Sequence, residues 1–176
     1  FDSGYDKAEA KDYYGAIADY TKAIELDPND ADAYYSRGNS KYDLKDYNGA
    51  IADFTKAIEI NPNYALAYNN RGLSKDDLND YYGAIADFTK AIEINPNYAI
   101  AYYNRGLSKD NLKDYYGAIS DYNRAIELDP NKVNAYYNRS LSKGSLGDFN
   151  GACADLKKAA ELGDTEAAEL VAKHCN

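Results

Sequence analysis

The sequence repeats itself every 34 residues, and this period limits the chain to folds that are built from a tandem unit. Proline occupies one column of the repeat, at Pro28, Pro62, Pro96 and Pro130. Two further columns hold arginine (Arg37, Arg71, Arg105 and Arg139) and glycine (Gly15, Gly49, Gly83, Gly117 and Gly151). Each residue must therefore be interpreted by its position in the unit as well as by its neighbours in the chain.

The second half of each unit carries the apolar stripe of an amphipathic helix. In the unit 31–64, apolar residues recur at steps of three and four, which predicts a helix over about 47–60. Asp46 precedes this helix and is placed to accept hydrogen bonds from the free amides of its first turn. Pro62 ends it, because proline lacks the amide donor and clashes with the preceding turn.

The first half of the unit carries a shorter and less apolar stripe. This stripe predicts a helix over roughly 31–44, with Asn29 or Asp30 as its N-cap. Helices this short are not stable alone in water, so each must bury its stripe against a neighbour. Stacking of similar helix pairs meets this requirement along the whole chain.

A set of motif residues recurs at fixed positions in the units. In the unit 31–64 the set comprises Tyr34-x2-Arg37-Gly38, Ala50-x3-Phe54, Ala57 and Pro62. Together with the period, this set resembles the tetratricopeptide repeat (TPR) family, in the multi-copy form of bacterial proteins. The resemblance implies an all-α fold, a right-handed superhelical solenoid of antiparallel helix pairs with a C-terminal capping helix. The chain departs from the family in having Tyr where Trp is frequent, and Arg37 and Lys41 where Leu and Tyr are usual.

The period divides the chain 1–176 into one predicted array. Its segments are a truncated first repeat 1–30, the repeats 31–64, 65–98 and 99–132, a last repeat 133–166 and a capping helix 165–175. Phe1, Gly4 and Tyr5 are assigned to the truncated first helix. The chain is therefore expected to be a fragment, with further structure and any targeting segment preceding it in the intact protein.

Charged residues recur on both predicted helices of the unit. The arginine column lies on a half-buried face, where a cation needs a partner. An aspartate column recurs on the second helix, at Asp53, Asp87, Asp121 and Asp155. We expect the two columns to form a ladder of Arg–carboxylate contacts, within a unit or to the preceding one, with each arginine stem packed on aromatic rings. The alternative is that each arginine extends into water.

The composition argues against several classes of function. The net charge of −9 disfavours binding to nucleic acid and to an anionic membrane surface. One histidine and two cysteines leave too few ligands for an ordinary zinc site, and no cofactor is expected. No nucleophile–base pair is visible, so the chain is predicted not to be an enzyme. Cys153 and Cys175 could meet in space, but buried free thiols are the expectation.

The TPR resemblance implies that the first helices line a concave groove. The candidate groove residues are Tyr35, Asn39, Asn69, Asn70, Leu73, Tyr103, Asn104, Leu107, Tyr137, Asn138 and Leu141. Asn70, Asn104 and Asn138 form one column, and an asparagine side chain offers one acceptor and two donors to the backbone of an extended peptide. The tyrosines would add rigid contact area and the leucines an apolar floor. The alternative is an ordinary solvated surface that duplication has copied.

The predicted function is a protein–protein interaction module that binds an extended peptide segment of a partner. Asp76, Asp77 and Asp110 add negative charge at one rim, so a neutral or basic segment is favoured. The cations with which co-chaperone members of the family grip a C-terminal carboxylate are absent. The alternative function is a self-assembly scaffold that associates through array ends or outer faces, where Tyr82 and Tyr116 are candidate contacts. The cytoplasm is slightly favoured as the compartment.

Overall fold

The computed structural model of the chain describes residues 2–175. Over that range the regular secondary structure is helical and includes no strand. Its helices are α1 (Asp2–Glu9), α2 (Tyr13–Leu26), α3 (Ala31–Asp43), α4 (Tyr47–Ile60), α5 (Ala65–Asp77), α6 (Tyr81–Ile94), α7 (Ala99–Asn111), α8 (Tyr115–Leu128), α9 (Val133–Ser145), α10 (Phe149–Glu161) and α11 (Thr165–His174). Phe1 lies outside the described residues, so its assignment to the first helix stays a prediction.

The helices form two compact units. The first unit ends at Asn95 and contains α1–α6, and the second begins at Pro96 and contains α7–α11. Within each unit every helix packs against the next one in the chain. Short turns join these helices, so that consecutive helices run antiparallel. The all-α architecture of helix pairs is confirmed.

The helix boundaries follow the capping residues. The bounds of α4 are those predicted, and Asp46 Oδ1 accepts a hydrogen bond from the Gly49 amide at 3.0 Å. Glycine is needed at this position because a Cβ on Gly49 would lie 2.1 Å from Asp46 Oδ2. Helix α3 begins directly after Asp30, whose carboxylate accepts from the Ala33 amide. Both helices of the unit are therefore fixed by local sequence.

Small residues on the first helices let aromatic rings of the second helices approach closely. A Cβ added to Gly38 would lie 2.7 Å from the Phe54 ring, and Gly72 has the same relation to Phe88. Both phenylalanines are fully buried, as are the alanines beside them on the second helices. In the second unit Tyr122 takes the phenylalanine position. The core of a repeat is thus a thin layer of one aromatic ring and several small residues.

The predicted ladder between arginine and aspartate is confirmed. Arg37 pairs with Asp53 of its own repeat, and its Nη1 donates to Thr21 of the preceding repeat at 3.1 Å. The guanidinium also lies 5.5 Å from the centroid of the Tyr34 ring. Lys41 adds an ammonium 2.7 Å from the same carboxylate, a contact that the sequence did not predict. Equivalent clusters surround Asp87, Asp121 and Asp155.

Helix α11 closes the second unit by packing against α10. Asp164 caps its first turn by accepting from the Ala167 amide, and Ala167 is fully buried. The side of the helix away from α10 carries the exposed Glu166, Glu169 and Lys173. The C-terminal helix therefore has the amphipathic character that its sequence predicts.

The expectation of free thiols at Cys153 and Cys175 was wrong. The two residues form a disulfide, with their Cα atoms 5.5 Å apart. Because α11 folds back along α10, the early part of α10 lies beside the end of α11. Cys153 lies in the second turn of α10 and Cys175 directly follows α11. The pairing depends on how the two helices pack, and the spacing of the cysteines in the sequence does not specify that.

Candidate functional site

The candidate binding residues lie on the first helices of the repeats, in one group per unit. In the first unit they are Tyr35 and Asn39 on α3, with Asn69, Asn70 and Leu73 on α5. In the second unit they are Tyr103, Asn104 and Leu107 on α7, with Tyr137, Asn138 and Leu141 on α9. Each group is called here the first-helix face of its unit.

In the first unit, Asn70 ties two neighbouring repeats together. Its Nδ2 donates to the Tyr35 hydroxyl at 3.1 Å and to Asn39 Oδ1 at 2.8 Å. Its Oδ1 accepts from Asn69 Nδ2 at 3.0 Å. Both amide hydrogens of Asn70 are therefore used within the protein, and one lone pair of its carbonyl oxygen is left for a further partner.

The asparagine column is unevenly exposed. Asn104 is 7 % exposed, and Asn69 on the neighbouring column is 2 % exposed, whereas Asn70 and Asn138 are half-buried. The sequence placed all four on an open face. Asn70 and Asn138 each donate a hydrogen bond to a tyrosine on the preceding first helix, so contacts between repeats use part of the face.

In the second unit, Tyr103 is enclosed by polar and charged neighbours. Asn138 Nδ2 donates to its hydroxyl at 2.9 Å, and the Lys132 ammonium lies 4.9 Å from the centroid of its ring. Burial raises the pKa of Tyr103, while hydrogen bonds from Asn138 and Asn134 oppose that rise. The ring is thereby held in place and its face binds a cation.

A cleft of about 260 Å³ opens between α7 and α9. Leu107, Asn138 and Leu141 line it, so three predicted site residues share one recess. Leu141 is 48 % exposed. The second amide hydrogen and the carbonyl oxygen of Asn138 make no hydrogen bond to other side chains in the described part of the chain. The recess therefore combines apolar walls with one amide that can pair with a peptide backbone.

Two of the carboxylates expected at the rim accept hydrogen bonds from hydroxyl groups. Asp110 accepts from the Tyr122 hydroxyl at 2.6 Å and from Ser142 Oγ at 2.8 Å. Burial raises the pKa of Asp110, and these hydrogen bonds act in the opposite direction. In the first unit Asp77 accepts from the Tyr42 hydroxyl at 2.7 Å. Hydroxyl partners leave the negative charge of a carboxylate uncompensated.

Two of the larger cavities adjoin candidate site residues and were not predicted. One, of about 450 Å³, lies between α1, α2 and α3 in the first unit and adjoins Tyr35 and Asn39. The other, of about 570 Å³, lies between α9, α10 and α11 and is lined by Leu141, Phe149 and the disulfide among others. Phe149 is 70 % exposed and replaces the tyrosine of the other repeats at this position. That substitution was a visible signal for the second cavity.

No group of three or more His, Cys, Asp or Glu side chains is arranged to hold a metal ion among residues 2–175. None of the described helices has the length and apolar content needed to span a membrane.

Models of the TPR family match nearly all of the chain. The tetratricopeptide repeat model matches residues 31–64, 65–98 and 99–132. A TPR repeat model matches 4–45, and a further tetratricopeptide repeat model matches 133–165. No curated protein sequence matches the chain significantly.

Solved structures agree with this family. A MamA crystal structure shares 30% identity with the chain at a TM-score of 0.88, covering 96% of this chain and 98% of its own. YrrB, described as a TPR protein with an unusual peptide-binding site, shares 26% identity at 0.81 and covers 97% and 88%. MamA from Desulfovibrio magneticus RS-1 shares 22% identity at 0.85 and covers 90% of each chain, which shows the fold. The chain therefore belongs to the tetratricopeptide repeat family, and its repeats form a protein–protein interaction module.

Proposed function

We propose that the chain binds an extended peptide segment of a partner protein on the first-helix faces of its repeats. The observation that carries this proposal is the cleft between α7 and α9, in which Leu107, Asn138 and Leu141 share one recess. An apolar recess with a few polar groups is the usual form of a site that takes a peptide side chain.

Asn138 is the residue best placed to pair with a peptide backbone. One of its amide hydrogens is held by Tyr103, which fixes the orientation of the side chain. The other hydrogen would be donated to an acceptor on the bound segment, and the carbonyl oxygen would accept from a donor on it. Asn70 offers only its carbonyl oxygen, because both of its amide hydrogens are used by Tyr35 and Asn39.

The charge of the first helices favours a neutral or basic segment. Each of the four repeats between residues 31 and 166 carries an arginine and a lysine on its first helix, but both are paired with a buried aspartate of the second helix, as Arg71 and Lys75 are with Asp87. These cations are therefore not available to a ligand. Carboxylates such as Asp77 and Asp110 remain and would attract a basic partner.

The comparison with YrrB supports the same class of function. That protein is described as having a peptide-binding site, and it shares the repeat architecture over nearly the whole length of this chain. The residues that would bind a peptide here are those of this chain's own first-helix faces, since function in a repeat scaffold is carried by its surface side chains.

Peptide selection with a matched pair of variants tests the proposal. Random linear peptides would be displayed on phage and selected on the purified chain, and fluorescence anisotropy would give their dissociation constants. Leu141→Arg fills the cleft, and we expect it to weaken binding at least about tenfold. Tyr116→Arg serves as the control, because Tyr116 is 77 % exposed on α8. Equal peptide affinities of the two variants, or weaker peptide binding only in Tyr116→Arg, would contradict the proposal.

Self-association through outer faces is the second candidate function. Tyr82 on α6 is 76 % exposed, and Tyr116 occupies the same position of the next repeat. Exposed aromatic side chains are frequent in protein interfaces. Sedimentation velocity of the chain and of a Tyr82→Ser/Tyr116→Ser variant would test this function. A concentration-dependent oligomer that the variant lacks would support it, and a monomer at all concentrations would exclude it.

A further inference from the structure

The cavity between α1, α2 and α3 has an aromatic lining. Tyr5, Tyr13, Tyr20 and Tyr35 contribute to its wall, and its volume is about 450 Å³. Tyr20 is almost fully buried, whereas Tyr5 is exposed, so the cavity runs from the core to the surface. Tyrosine side chains in the wall of a cavity supply aromatic carbon on which the alkyl stem of a long side chain can pack.

A tyrosine at the repeat position of Tyr35 makes a cation–π contact elsewhere in the protein. Tyr103, two repeats after Tyr35, holds the Lys132 ammonium at 4.9 Å from its ring centroid. The position that corresponds to Lys132 in the first unit is Tyr64, whose ring lies 5.0 Å from that of Tyr35. In the first unit a tyrosine therefore occupies the repeat position that Lys132 holds in the second, and its ring contacts Tyr35 in place of an ammonium group.

The charges near the cavity also favour a cation. Asp43 lines it as the last residue of α3, where the helix dipole adds further negative potential. No side chain in the described range pairs with Asp43, and burial raises the pKa of its carboxyl group. Glu9 lines the cavity as well, opposed by a single cation, Lys11.

Three cations on α1 and α3 are already paired with carboxylates. Lys7 lies 2.6 Å from Asp19, and Arg37 and Lys41 both contact Asp53. A carboxylate at the C-terminal end of a helix opposes the dipole of its own helix. Asp43 therefore adds negative charge at the cavity without stabilising α3.

We infer that the cavity between α1, α2 and α3 is a subsite for a lysine or arginine side chain of a peptide segment that binds to the first-helix face of the first unit. The inference rests on the proposed peptide-binding function and specifies the chemistry of its partner. The alkyl stem of the guest would pack on the tyrosine rings, and its cationic head would reach the carboxylates of Asp43 and Glu9.

An NMR titration with small probes tests this subsite directly. The ¹⁵N-labelled chain would be titrated with Nα-acetyl-lysine methylamide, with the arginine analogue, and with Nα-acetyl-norleucine methylamide as an uncharged control of similar shape. We expect saturable shifts of the amides of α1 and of residues 35–43 with the two cationic probes. Added salt should weaken the binding.

A charge-removal variant separates the subsite from a general electrostatic effect. Glu9→Gln/Asp43→Asn should weaken binding of the lysine probe at least about threefold, because it removes both carboxylates. Asp27→Asn changes the net charge at an exposed position between α2 and α3 and should leave the affinity unchanged. The melting temperature of the Glu9→Gln/Asp43→Asn variant should not fall, since Asp43 opposes its own helix dipole.

The outcomes distinguish this inference from the proposed function. Equal binding of the norleucine probe, shifts scattered outside the cavity, or unchanged affinity in the charge-removal variant would overturn the subsite. Selected peptides that shift the amides of α1 and of residues 35–43 but contain no lysine or arginine would also overturn it, while the proposed function would stand. If the lysine probe binds saturably in the cavity but no selected peptide depends on Leu141, the subsite is supported and the extended-peptide proposal is contradicted.

Discussion

Arg37 donates two parallel hydrogen bonds to Asp53, from Nε to Oδ2 at 2.9 Å and from Nη2 to Oδ1 at 2.7 Å. This bidentate geometry is the strongest form of an arginine–carboxylate contact. Lys41 contacts the same carboxylate, which is buried. The cluster accounts for the departure of the chain from the usual TPR sequence, because an arginine and a lysine replace two apolar or aromatic residues and need a buried anion.

Loss of the shared carboxylate should be the most destabilising change in the ladder. Asp121→Asn removes the carboxylate charge that Arg105 and Lys109 both contact, and we expect a loss of about 3 kcal/mol in the free energy of unfolding. Arg105→Leu should cost less, because Lys109 still lies 2.7 Å from Asp121. Urea unfolding followed by far-UV circular dichroism measures both variants.

An exposed ion pair provides the control for the ladder. Lys90 and Glu93 form such a pair on α6, and Glu93→Gln should change the unfolding midpoint little. An Asp121→Asn variant as stable as Glu93→Gln, or an Arg105→Leu variant with an unchanged or raised midpoint, would show that the ladder does not stabilise the fold.

Close approach of helices at the glycine column gives a second prediction. A Cβ on Gly72 would lie 2.7 Å from Cε1 of the buried Phe88 ring, so Gly72→Ala should destabilise the chain by about 1–3 kcal/mol. Gly144, on α9, has no atom within 4 Å of the same added Cβ. Gly144→Ala should therefore be neutral or stabilising, since alanine favours the helix. Thermal melts that rank the two variants in the opposite order would contradict this packing.

The disulfide gives a third prediction. Cys153 and Cys175 are separated by 22 residues, and for a loop of this length the chain-entropy model assigns a disulfide about 3 kcal/mol. A Cys153→Ser/Cys175→Ser variant should melt at a lower temperature, and the amides of α11 should exchange with solvent faster. A reducing agent should produce the same changes in the native chain and none in the variant. Unchanged exchange in α11 after reduction would show that packing alone holds the helix.

The sequence predicted the features that repeat locally. The bounds of α3 and α4, the caps Asp30 and Asp46, and the Arg37–Asp53 contact all follow from residue types at a fixed spacing along one or two helices. Each depends on positions within a single repeat, where the helix period fixes which side chains share a face.

Features that depend on the packing of neighbouring helices were missed. Asn69 and Asn104 are buried although their helix positions predict an open face, and the disulfide requires α11 to fold back along α10. The cavity beside Tyr5 and Tyr13 forms because three helices leave a gap between them. The 34-residue period does not specify these features. It fixes which face of each helix a side chain lies on, but it does not fix the distance between helices.

The most direct test of peptide binding is an NMR map of one selected peptide on the ¹⁵N-labelled chain. Binding on the first-helix face of the second unit predicts amide and side-chain shifts at Leu107, Asn138 and Leu141, together with loss of those shifts in Leu141→Arg. Shifts confined to the exposed surface around Tyr116 on α8, with the residues of the cleft unchanged, would contradict the proposed site.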